Sequence, residues 1–293
     1  MTNRSLPLFL STLLVLGMVN MLPAAEPLRV MSFNIRYGSA KDGPNAWDNR
    51  KEFLVETIRK FHPDLLGTQE TEAGQRDYLQ SQLTDYEAWG VGRDDGKEKG
   101  EMMALFYRRS RFSRLDGGHF WLSETPDVAG SKNWDSAHPR MVSWVKLKDA
   151  QGPEPGPIYF FNTHLDHMSQ TARDRGAQLL HDKIRQIAGQ SPAIVTGDFN
   201  SKPGSMPYQN LFTPGEQPPL LVDVFRVVHP EPQGYEGTFS SFKTDKTDAS
   251  RIDWIGCTAQ LEPATIEINR VQRDGRFPSD HFPLEAILKY RAK

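Results

Sequence analysis

Short polar clusters recur along this chain at the points where hydrophobic runs end, and this arrangement constrains the fold more than any single motif. The clusters are Ser-Phe-Asn at 32–34, Thr-Gln-Glu at 68–70, Asn-Thr-His at 162–164, Gly-Asp-Phe-Asn at 197–200 and Ser-Asp-His at 279–281. Polar residues at successive strand ends can converge on one rim of a sheet, where α/β proteins tend to place their sites. Carboxylates, amides and imidazoles gathered in this way are suited to a hard divalent cation and to acid–base chemistry.

The length and composition are those of a globular α/β protein. Of the 293 residues, 38% are hydrophobic and 25% are charged, and these values exclude a membrane bundle or a disordered chain. The length suits one large domain or two small ones with a substantial core. Because the sequence contains no repeat, low-complexity tract or interdomain linker, we predict a single domain over residues 26–293.

Hydrophobic periodicity predicts strands, some joined by helices and others by hairpins, which indicates mixed sheets. Helical periodicity predicts helices over 48–62, 75–83 and 171–188. The segment 123–140 predicts a long loop, and loops of that length within a compact domain are often functional. The predicted strands are 28–35, 64–68, 102–107, 118–122, 141–147, 158–163, 193–196, 251–255 and 284–288.

The N-terminal segment differs from the rest of the chain. Arg4 precedes a charge-free run from Ser5 to Ala25, whose central part is rich in Leu and Val. Pro23 and the two alanines after it supply a helix breaker and small residues, so we predict a signal peptide over residues 1–25 and export to the periplasm or the medium. An uncleaved membrane anchor is the alternative, but a span needs about 20 apolar residues. After cleavage we expect no stable membrane association.

Charge and cysteine content narrow the function classes. The formal net charge is −2, and removal of the single positive charge of Arg4 with the leader would leave −3. Proteins that hold long nucleic acids usually carry a basic surface, so a small phosphorylated substrate is favoured. Cys257 is the only cysteine, which excludes an intramolecular disulfide, and its apolar surroundings indicate packing rather than catalysis.

The acidic and amide residues at three of the cluster ends are suited to a hard cation. Mg²⁺ prefers a few carboxylate or amide oxygens and keeps several waters for substrate phosphate. Glu70 and Asp280, with Asn34 nearby, would make such an open site, and Mn²⁺ and Ca²⁺ are alternatives for it. Each residue alone is equally well explained as a strand-end or turn residue, so the prediction depends on the combination.

Asp253 lies inside an otherwise largely apolar segment, where a carboxylate requires a partner. One partner is His281, whose tautomer a carboxylate could fix and whose basicity it could raise. The alternative partner is Arg251, with which Asp253 would form a salt bridge.

His164 ends a predicted strand and is followed closely by Asp166 and His167. The three side chains could be read as a zinc site. The other clusters are rich in oxygen and no cysteine supports zinc, so contact of His164 with a phosphate oxygen is the favoured interpretation.

These clusters, together with Arg-Ile-Asp at 251–253, resemble the motifs of the endonuclease/exonuclease/phosphatase superfamily, metal-dependent phosphoesterases related to pancreatic deoxyribonuclease. The resemblance covers nearly all of residues 28–290, and the order of the motifs makes it specific for the superfamily but not for a substrate. It implies a four-layer α-β-β-α sandwich, in which two mixed β-sheets pack face to face with helices outside each. The segments 92–96, 120–126 and 163–167 are similar to a secreted bacterial branch, itself distantly similar to nocturnin and the deadenylases.

The resemblance also implies a role for the matching acidic and amide residues. Glu70 would hold the catalytic metal, with Asn34 and Asp280 beside it. Asp198 would orient or deprotonate the attacking water, and Asn200 would bind the phosphate.

The resemblance assigns the remaining roles to two histidines and their carboxylates. His281, oriented by Asp253, would serve as general acid/base or as a hydrogen-bond donor to the transition state. His164 would contact the phosphate, with Glu101 as its orienting carboxylate. Arginine and tryptophan at the rim could stack a base or cover a sugar, although packing or solvation explains each one as well. The candidates for substrate binding are Arg36, Trp47, Arg93, Trp121, Arg140, His167 and Arg173.

We therefore predict an exported, Mg²⁺-dependent phosphoesterase in which water attacks phosphorus in line, without a covalent enzyme intermediate. The expected substrate is a nucleotide, a sugar phosphate or another small phosphomono- or diester, and an endo- or exonuclease acting on DNA or RNA is the alternative. Thr71 and Glu72 follow the metal-binding glutamate, where nucleases that grip duplex DNA commonly carry Arg or Lys. A non-catalytic binding protein on the same scaffold is the alternative from another class. No protein partner is predicted.

Overall fold

Two six-stranded β-sheets form the centre of the fold in the part of the chain that is described. The computed structural model describes residues 1–2, 25–153, 156–212, 215, 219–232, 234–243 and 250–291. The first sheet contains β1 (Leu28–Asn34), β2 (Leu65–Thr71), β3 (Tyr86–Trp89), β4 (Met102–Arg108), β11 (Leu261–Ile268) and β12 (Leu284–Tyr290). The second contains β5 (Phe112–Trp121), β6 (Met141–Asp149), β7 (Ile158–His164), β8 (Ala193–Asp198), β9 (Leu221–Asp223) and β10 (Asp253–Thr258).

Each sheet is built around one parallel pair of strands, and this pair decides where the site lies. The strand order is β11-β12-β1-β2-β4-β3 in the first sheet and β5-β6-β7-β8-β10-β9 in the second. β1 and β2 run parallel, as do β7 and β8, while the other named pairings are antiparallel. Since the carboxyl ends of parallel strands meet at one edge, the polar clusters that follow these four strands share a rim.

Helices cover the outer face of each sheet, which confirms the four-layer sandwich. They are α1 (Trp47–Phe61), α2 (Ala73–Gln82), α3 (Gln170–Ala188) and α4 (Met206–Phe212), whereas the short α5 (Val224–Val228) packs on the core between the sheets. Buried Leu54 and Ile58 of α1 pack with Phe33 under the first sheet. Leu180 of α3 packs with Val195 on the second. A third core lies between the sheets and includes residues of both.

Local sequence signals account for the ends of the main helices. Ser169 caps α3 by accepting a hydrogen bond from the Ala172 amide at 3.1 Å. Glu72 and Gln75 form a capping box at the start of α2. α1 ends at His62, whose φ of 52° is left-handed and stops the helix.

A buried amide network joins the two sheets directly beneath the rim. Asn162 Oδ1 accepts a hydrogen bond from Gln69 Nε2 at 2.7 Å and one from Thr196 Oγ1 at 3.0 Å. The Asn162 amide nitrogen donates to the Thr68 carbonyl at 2.8 Å. At Gly67 an added Cβ would lie 2.1 Å from Thr196 Oγ1, so only glycine permits this approach of the sheets. The network fixes the distance between the strand ends that carry the polar clusters.

Most predicted elements are present, with some differences in extent. The strand predicted at 118–122 is the end of the longer β5, and the short strands β3 and β9, the strand β11 and the helices α4 and α5 were not predicted. The predicted signal peptide at 1–25 lies almost wholly outside the described residues. Among the described residues, no helix combines the length and apolar character required to cross a membrane.

Candidate active site

Side chains from both sheets line one pocket of about 560 Å³ at the common rim. Strand ends supply Glu70 from β2, His164 from β7 and Asp198 from β8. Asp280 and His281 come from the segment before β12 and line the same pocket. The polar clusters read from the sequence therefore converge, although Asn34 in the first and Ser279 in the last are 245 residues apart in the chain.

Asp198 is the central side chain of the site. Its Oδ2 lies 2.9 Å from Asn34 Nδ2, 3.4 Å from His164 Nε2 and 3.7 Å from His281 Nε2. The Asn200 backbone amide donates to the other oxygen at 2.9 Å. Burial, and then the charge of Asp253, raise the pKa of Asp198 to about 7. A carboxyl group with such a pKa can accept a proton near neutral pH.

His281 and Asp253 form the pair that the sequence predicted. Asp253 Oδ2 lies 2.9 Å from His281 Nδ1, and both side chains are buried. Burial alone would lower the pKa of His281, but the charges of Asp253 and Asp198 raise it to about 10. The imidazole is therefore protonated at neutral pH and can donate from Nε2. The alternative salt bridge is absent, because Arg251 pairs with Asp223 at 2.5 Å.

The donor set of the pocket fits a hard divalent cation. One ligand atom each from Glu70, His164 and Asp198 lies within 4.8 Å of the others. Burial and the nearby charge of Glu70 raise the pKa of Asp280, while that of Asp198 is raised as well. Carboxyl groups that disfavour ionisation in this way would be stabilised in their charged form by a cation between them.

Arg36 supplies positive charge beside these carboxylates. Its guanidinium lies 3.8 Å from Asp280 and 3.9 Å from Glu70. It is held in place by two hydrogen bonds of 3.0 Å to Asp42. Arg36, a candidate for substrate binding, also lines the pocket, so it contributes to the site both as a neighbour of the acidic groups and as a wall residue.

Asn34 occupies the predicted place but presents its nitrogen to the carboxylates. Its Nδ2 donates to Glu70 at 3.0 Å and to Asp198 at 2.9 Å. Its oxygen accepts from the Arg36 backbone amide at 3.0 Å. The expectation that Asn34 offers an oxygen to a metal is therefore corrected, because the amide bridges and positions the two carboxylates instead.

His164 is a neutral imidazole with a defined tautomer. Burial, followed by the charges of Arg140 and Arg93, lowers its pKa well below the usual value. Asn200 Nδ2 lies 2.9 Å from His164 Nε2 and also donates to the Leu165 carbonyl at 3.1 Å. Since an amide nitrogen only donates, His164 Nε2 accepts and its proton lies on Nδ1.

Glu101 is not the orienting partner of His164. Both of its oxygens accept hydrogen bonds from the Arg93 guanidinium, at 2.7 and 2.8 Å. His164 Nδ1 is buried and has no hydrogen-bond partner among the residues described. Burial raises the pKa of Glu101, and the bidentate pair with Arg93 satisfies it. Both Glu101 and Arg93 nevertheless line the pocket.

Three predicted rim residues are structural. Trp121 is buried and its indole donates to the Arg93 carbonyl at 2.6 Å. Arg173 donates to the Asp166 carbonyl at 3.0 Å and to a side chain of its own helix. Trp47 packs edge-to-face on Tyr78. These residues do not line the pocket, because their side chains make packing and hydrogen-bond contacts within the protein.

His164, Asp166 and His167 do not come together as a zinc site, so the zinc interpretation is wrong. Asp166 is buried, and its carboxylate accepts hydrogen bonds from the Ser169 amide at 2.8 Å and the Ala137 amide at 3.0 Å. His167, a candidate for substrate binding, lines the pocket. The groups of the described residues that could hold a metal do not include Asp166 or His167.

Sequence reasoning missed His138, Tyr37 and Phe239, which also line the pocket. His138 lies within the loop 123–140, whose length was a signal of function, but nothing in the sequence singled out this residue. Phe239 packs on His281 with ring centroids 4.9 Å apart, a contact between segments far apart in the chain.

The fold and the site are those of known metal-dependent phosphoester hydrolases. The chain belongs to the endonuclease/exonuclease/phosphatase family, whose sequence profile matches residues 31–281. A family member from Bacteroides vulgatus is 35% identical, with 91% of this chain and 100% of that chain covered and a TM-score of 0.84. The mannosyl-6-phosphatase Bt3783 of Bacteroides thetaiotaomicron VPI-5482 is 34% identical, with 90% and 100% covered and a TM-score of 0.80.

A more distant relative confirms the predicted likeness to nocturnin. Nocturnin from Rattus norvegicus is 23% identical over 294 residues, which cover 89% of this chain and 64% of that protein. The protein is thus a hydrolase that acts on phosphoester bonds. A non-catalytic binding protein is disfavoured, since Glu70, Asp198 and His281 are all present and converge.

Proposed function

We propose that this protein is a Mg²⁺-dependent phosphatase that hydrolyses a small phosphomonoester, with a sugar phosphate as the favoured class. The observation that carries the proposal is the position of Asp198 between two groups of side chains. On one side it shares a cluster with Glu70 and His164, and on the other with Asp253 and His281. A cation-binding set and a proton-transfer pair therefore meet at one carboxylate.

The chemistry follows from these positions. When bound beside Glu70 and Asp280, the cation would supply charge neutralisation of a phosphate oxygen. Asp198 accepts a proton from water as the water oxygen attacks phosphorus. The ester oxygen departs opposite to the incoming water, and the His281 imidazolium is positioned to donate to the charge that develops. His164 Nε2 accepts from Asn200 Nδ2, which also donates to the Leu165 carbonyl, so the predicted phosphate contacts of His164 and Asn200 are not supported by this arrangement.

The net charge of the chain and its similarity to a mannosyl-6-phosphatase both favour a small ester over a nucleic acid as the substrate. The formal net charge is −2, whereas proteins that hold long nucleic acids depend on a surplus of Lys and Arg. Bt3783, at 34% identity, is described as a mannosyl-6-phosphatase. Nocturnin is a more distant relative, at 23% identity. A nuclease is therefore the second candidate function.

The test is phosphate release from a panel of esters. The panel contains hexose 6-phosphates, nucleotides, bis(p-nitrophenyl) phosphate, and RNA or DNA treated afterwards with a phosphatase to reveal cut ends. Wild type is compared with Asp198→Asn in Mg²⁺, Mn²⁺ or EDTA. We expect turnover of hexose 6-phosphate that requires the cation and is lost in the variant. Metal-dependent cleavage of the polymers alone would replace this proposal with a nuclease.

We further propose that residues 1–25 direct export and are removed. The support is the apolar, charge-free run after Arg4 and the small residues that end it. N-terminal sequencing of protein from the periplasm or medium tests the proposal. A chain that retains Met1 and sediments with membranes would indicate an anchor instead.

A further inference from the structure

Two exposed histidines stack against each other in the wall of the pocket. His138 comes from the loop 123–140 and His167 from the turn after β7. Their ring centroids lie 5.9 Å apart with an interplanar angle of 16°. We call His138, His167 and the neighbouring Arg140 the histidine wall. All three line the pocket, and none has a part in the attack on phosphorus described above.

A buried carboxylate holds the wall in place. Asp166 Oδ2 accepts hydrogen bonds from Ser136 Oγ and the Ala137 amide, each at 3.0 Å. The same oxygen lies 3.3 Å from Arg140 Nε. Its Oδ1 accepts from the Ser169 amide at 2.8 Å. Asp166 therefore ties the long loop to the turn that carries His167, and it fixes both histidines relative to the second sheet.

The hydrogen bond from Arg140 defines which nitrogen His167 offers to a ligand. Arg140 Nη2 lies 2.9 Å from His167 Nδ1, and a guanidinium can only donate. His167 Nδ1 is thus the acceptor, and in the neutral ring the proton lies on Nε2. Partial desolvation, followed by nearby guanidinium charges, lowers the pKa of both His138 and His167. The wall presents neutral imidazoles near pH 7.

The charges in and beside the wall are paired. Arg140 is matched by Asp166 at 3.3 Å, and Arg93 by Glu101 at 2.7 Å. A polyanionic chain would require cations that are free to pair with its phosphates. Neutral donors, acceptors and flat ring faces instead suit the hydroxyl groups and ring of an uncharged alcohol.

The distance from the reacting group fits one monosaccharide. In the second sheet β6, which follows Arg140, lies two strands from β8, which ends at Asp198. Two strand spacings are roughly 10 Å. The alcohol part of an ester whose phosphate lies beside Asp198 would span this distance with a single sugar ring.

We propose that the histidine wall is the subsite for the alcohol part of the ester and selects a neutral, hydroxyl-rich group, a monosaccharide, over a nucleotide chain. The inference rests on the proposed phosphatase function and adds specificity-determining residues to it. His138 and His167 bind sugar hydroxyls, and Asp166 is the positioning residue for both.

The experiment compares two esters that share the reacting phosphate. Mannose 6-phosphate has a ring and hydroxyl groups, and ethyl phosphate has neither. kcat/KM is measured with Mg²⁺ for wild type, His138→Ala, His167→Ala and His167→Phe. His62→Asn is the control, since His62 is exposed, ends α1 at the opposite end of the first sheet and bonds Asp85. Thermal unfolding verifies that each variant is folded.

We expect each wall variant to lose about tenfold in kcat/KM on mannose 6-phosphate, mostly through KM, because a hydrogen bond to substrate is lost. His167→Phe loses as much as His167→Ala, because the flat ring alone does not replace the Nε2–H donor. Ethyl phosphate turnover stays within about twofold. Equal losses on both esters would overturn the inference, as would a wild type that prefers ethyl phosphate.

A different result is expected if the proposed phosphatase function is wrong. A wild type that turns over neither ester in Mg²⁺ or Mn²⁺ contradicts the phosphatase assignment. In that case, calorimetric binding of mannose 6-phosphate and of inorganic phosphate to the same proteins tests the histidine wall independently of catalysis. Tighter binding of the sugar ester, lost in His138→Ala and His167→Ala, supports the wall. Equal affinity for both ligands overturns it.

Discussion

Asp253 Oδ2 lies 2.9 Å from His281 Nδ1 inside the protein, and this contact keeps the imidazole protonated. The other oxygen of Asp253 has no hydrogen-bond partner among the described residues, and the charge of this carboxylate raises the pKa of both His281 and Asp198. Nε2 of the same ring lies 3.7 Å from Asp198 Oδ2. One proton donor and one proton acceptor are thereby held side by side in the pocket.

Replacing Asp253 with Asn will lower the pKa of His281, because the charge of Asp253 raises that pKa to about 10. If turnover requires the imidazolium, kcat/KM in wild type falls only as the pH rises through about 10. In Asp253→Asn this fall will begin at lower pH. The pH–rate profile and the NMR titration of the His281 ring measure the shift. Superimposable profiles for the two proteins would argue against the pairing.

Asp198→Asn will remove most activity and leave the fold intact. The substitution preserves size and the contact with Asn34, but the side chain can no longer accept a proton from water. Groups of this kind contribute about 10²–10⁴-fold to the rate. Phosphate release measures the loss, and the melting temperature serves as the control. Turnover near that of wild type would exclude Asp198 as the base.

The affinity for Mn²⁺ will rise as the pH rises through about 7, because burial and the charge of Asp253 raise the pKa of Asp198 to about 7. The sign follows because a protonated carboxyl must lose its proton before a cation can bind beside it. Above this pH the affinity levels off. Calorimetry at several pH values, in two buffers to count released protons, measures the effect. The dependence should weaken in Asp198→Asn, and its persistence there would assign the proton to another group.

Glu70→Gln will weaken Mg²⁺ and Mn²⁺ binding by at least about tenfold, the lower bound for groups that only orient ligands. Glu70 lies in the cluster with His164 and Asp198 whose ligand atoms are within 4.8 Å of each other. Glu56→Gln is the matched control, since Glu56 is exposed and pairs with Arg273 on the surface. Similar affinities for both variants would place the cation elsewhere.

Arg111→Ala will destabilise the protein by about 3–5 kcal/mol, because it leaves buried Asp149 without its arginine partner and Asp64 with Arg108 alone. Arg111 is 2% exposed and lies 2.9 Å from both Asp64 and Asp149. Arg109→Ala, which removes an exposed pair with Glu87 at 3.4 Å, will cost less than about 1 kcal/mol. Urea unfolding compares the two. Equal effects would show that the buried network contributes little.

Much of the fold was predictable because the hydrophobic periodicity of each segment indicates whether it forms a helix or a strand. The helix α3 and the strands β1 and β7 lie within a residue of their predicted bounds. The strands that were missed are short or irregular edge strands. β11 contains Pro263 at a bulge, and β3 has only four residues. Their pairing with a neighbouring strand, rather than their own sequence, stabilises them.

The sequence by itself determined which residue types stand at the strand ends, since a hydrophobic run that ends in a carboxylate or imidazole is a local pattern. It thereby identified Glu70, Asp198 and His281 and the family. The sequence also indicated the Asp253–His281 pair, but only the tertiary structure decided the other contacts. Glu101 bonds Arg93 rather than His164, and His138 stacks on His167. The first contact depends on how the loop between β3 and β4 folds, and the second on how the loop 123–140 packs against the turn after β7. No local pattern contains that information.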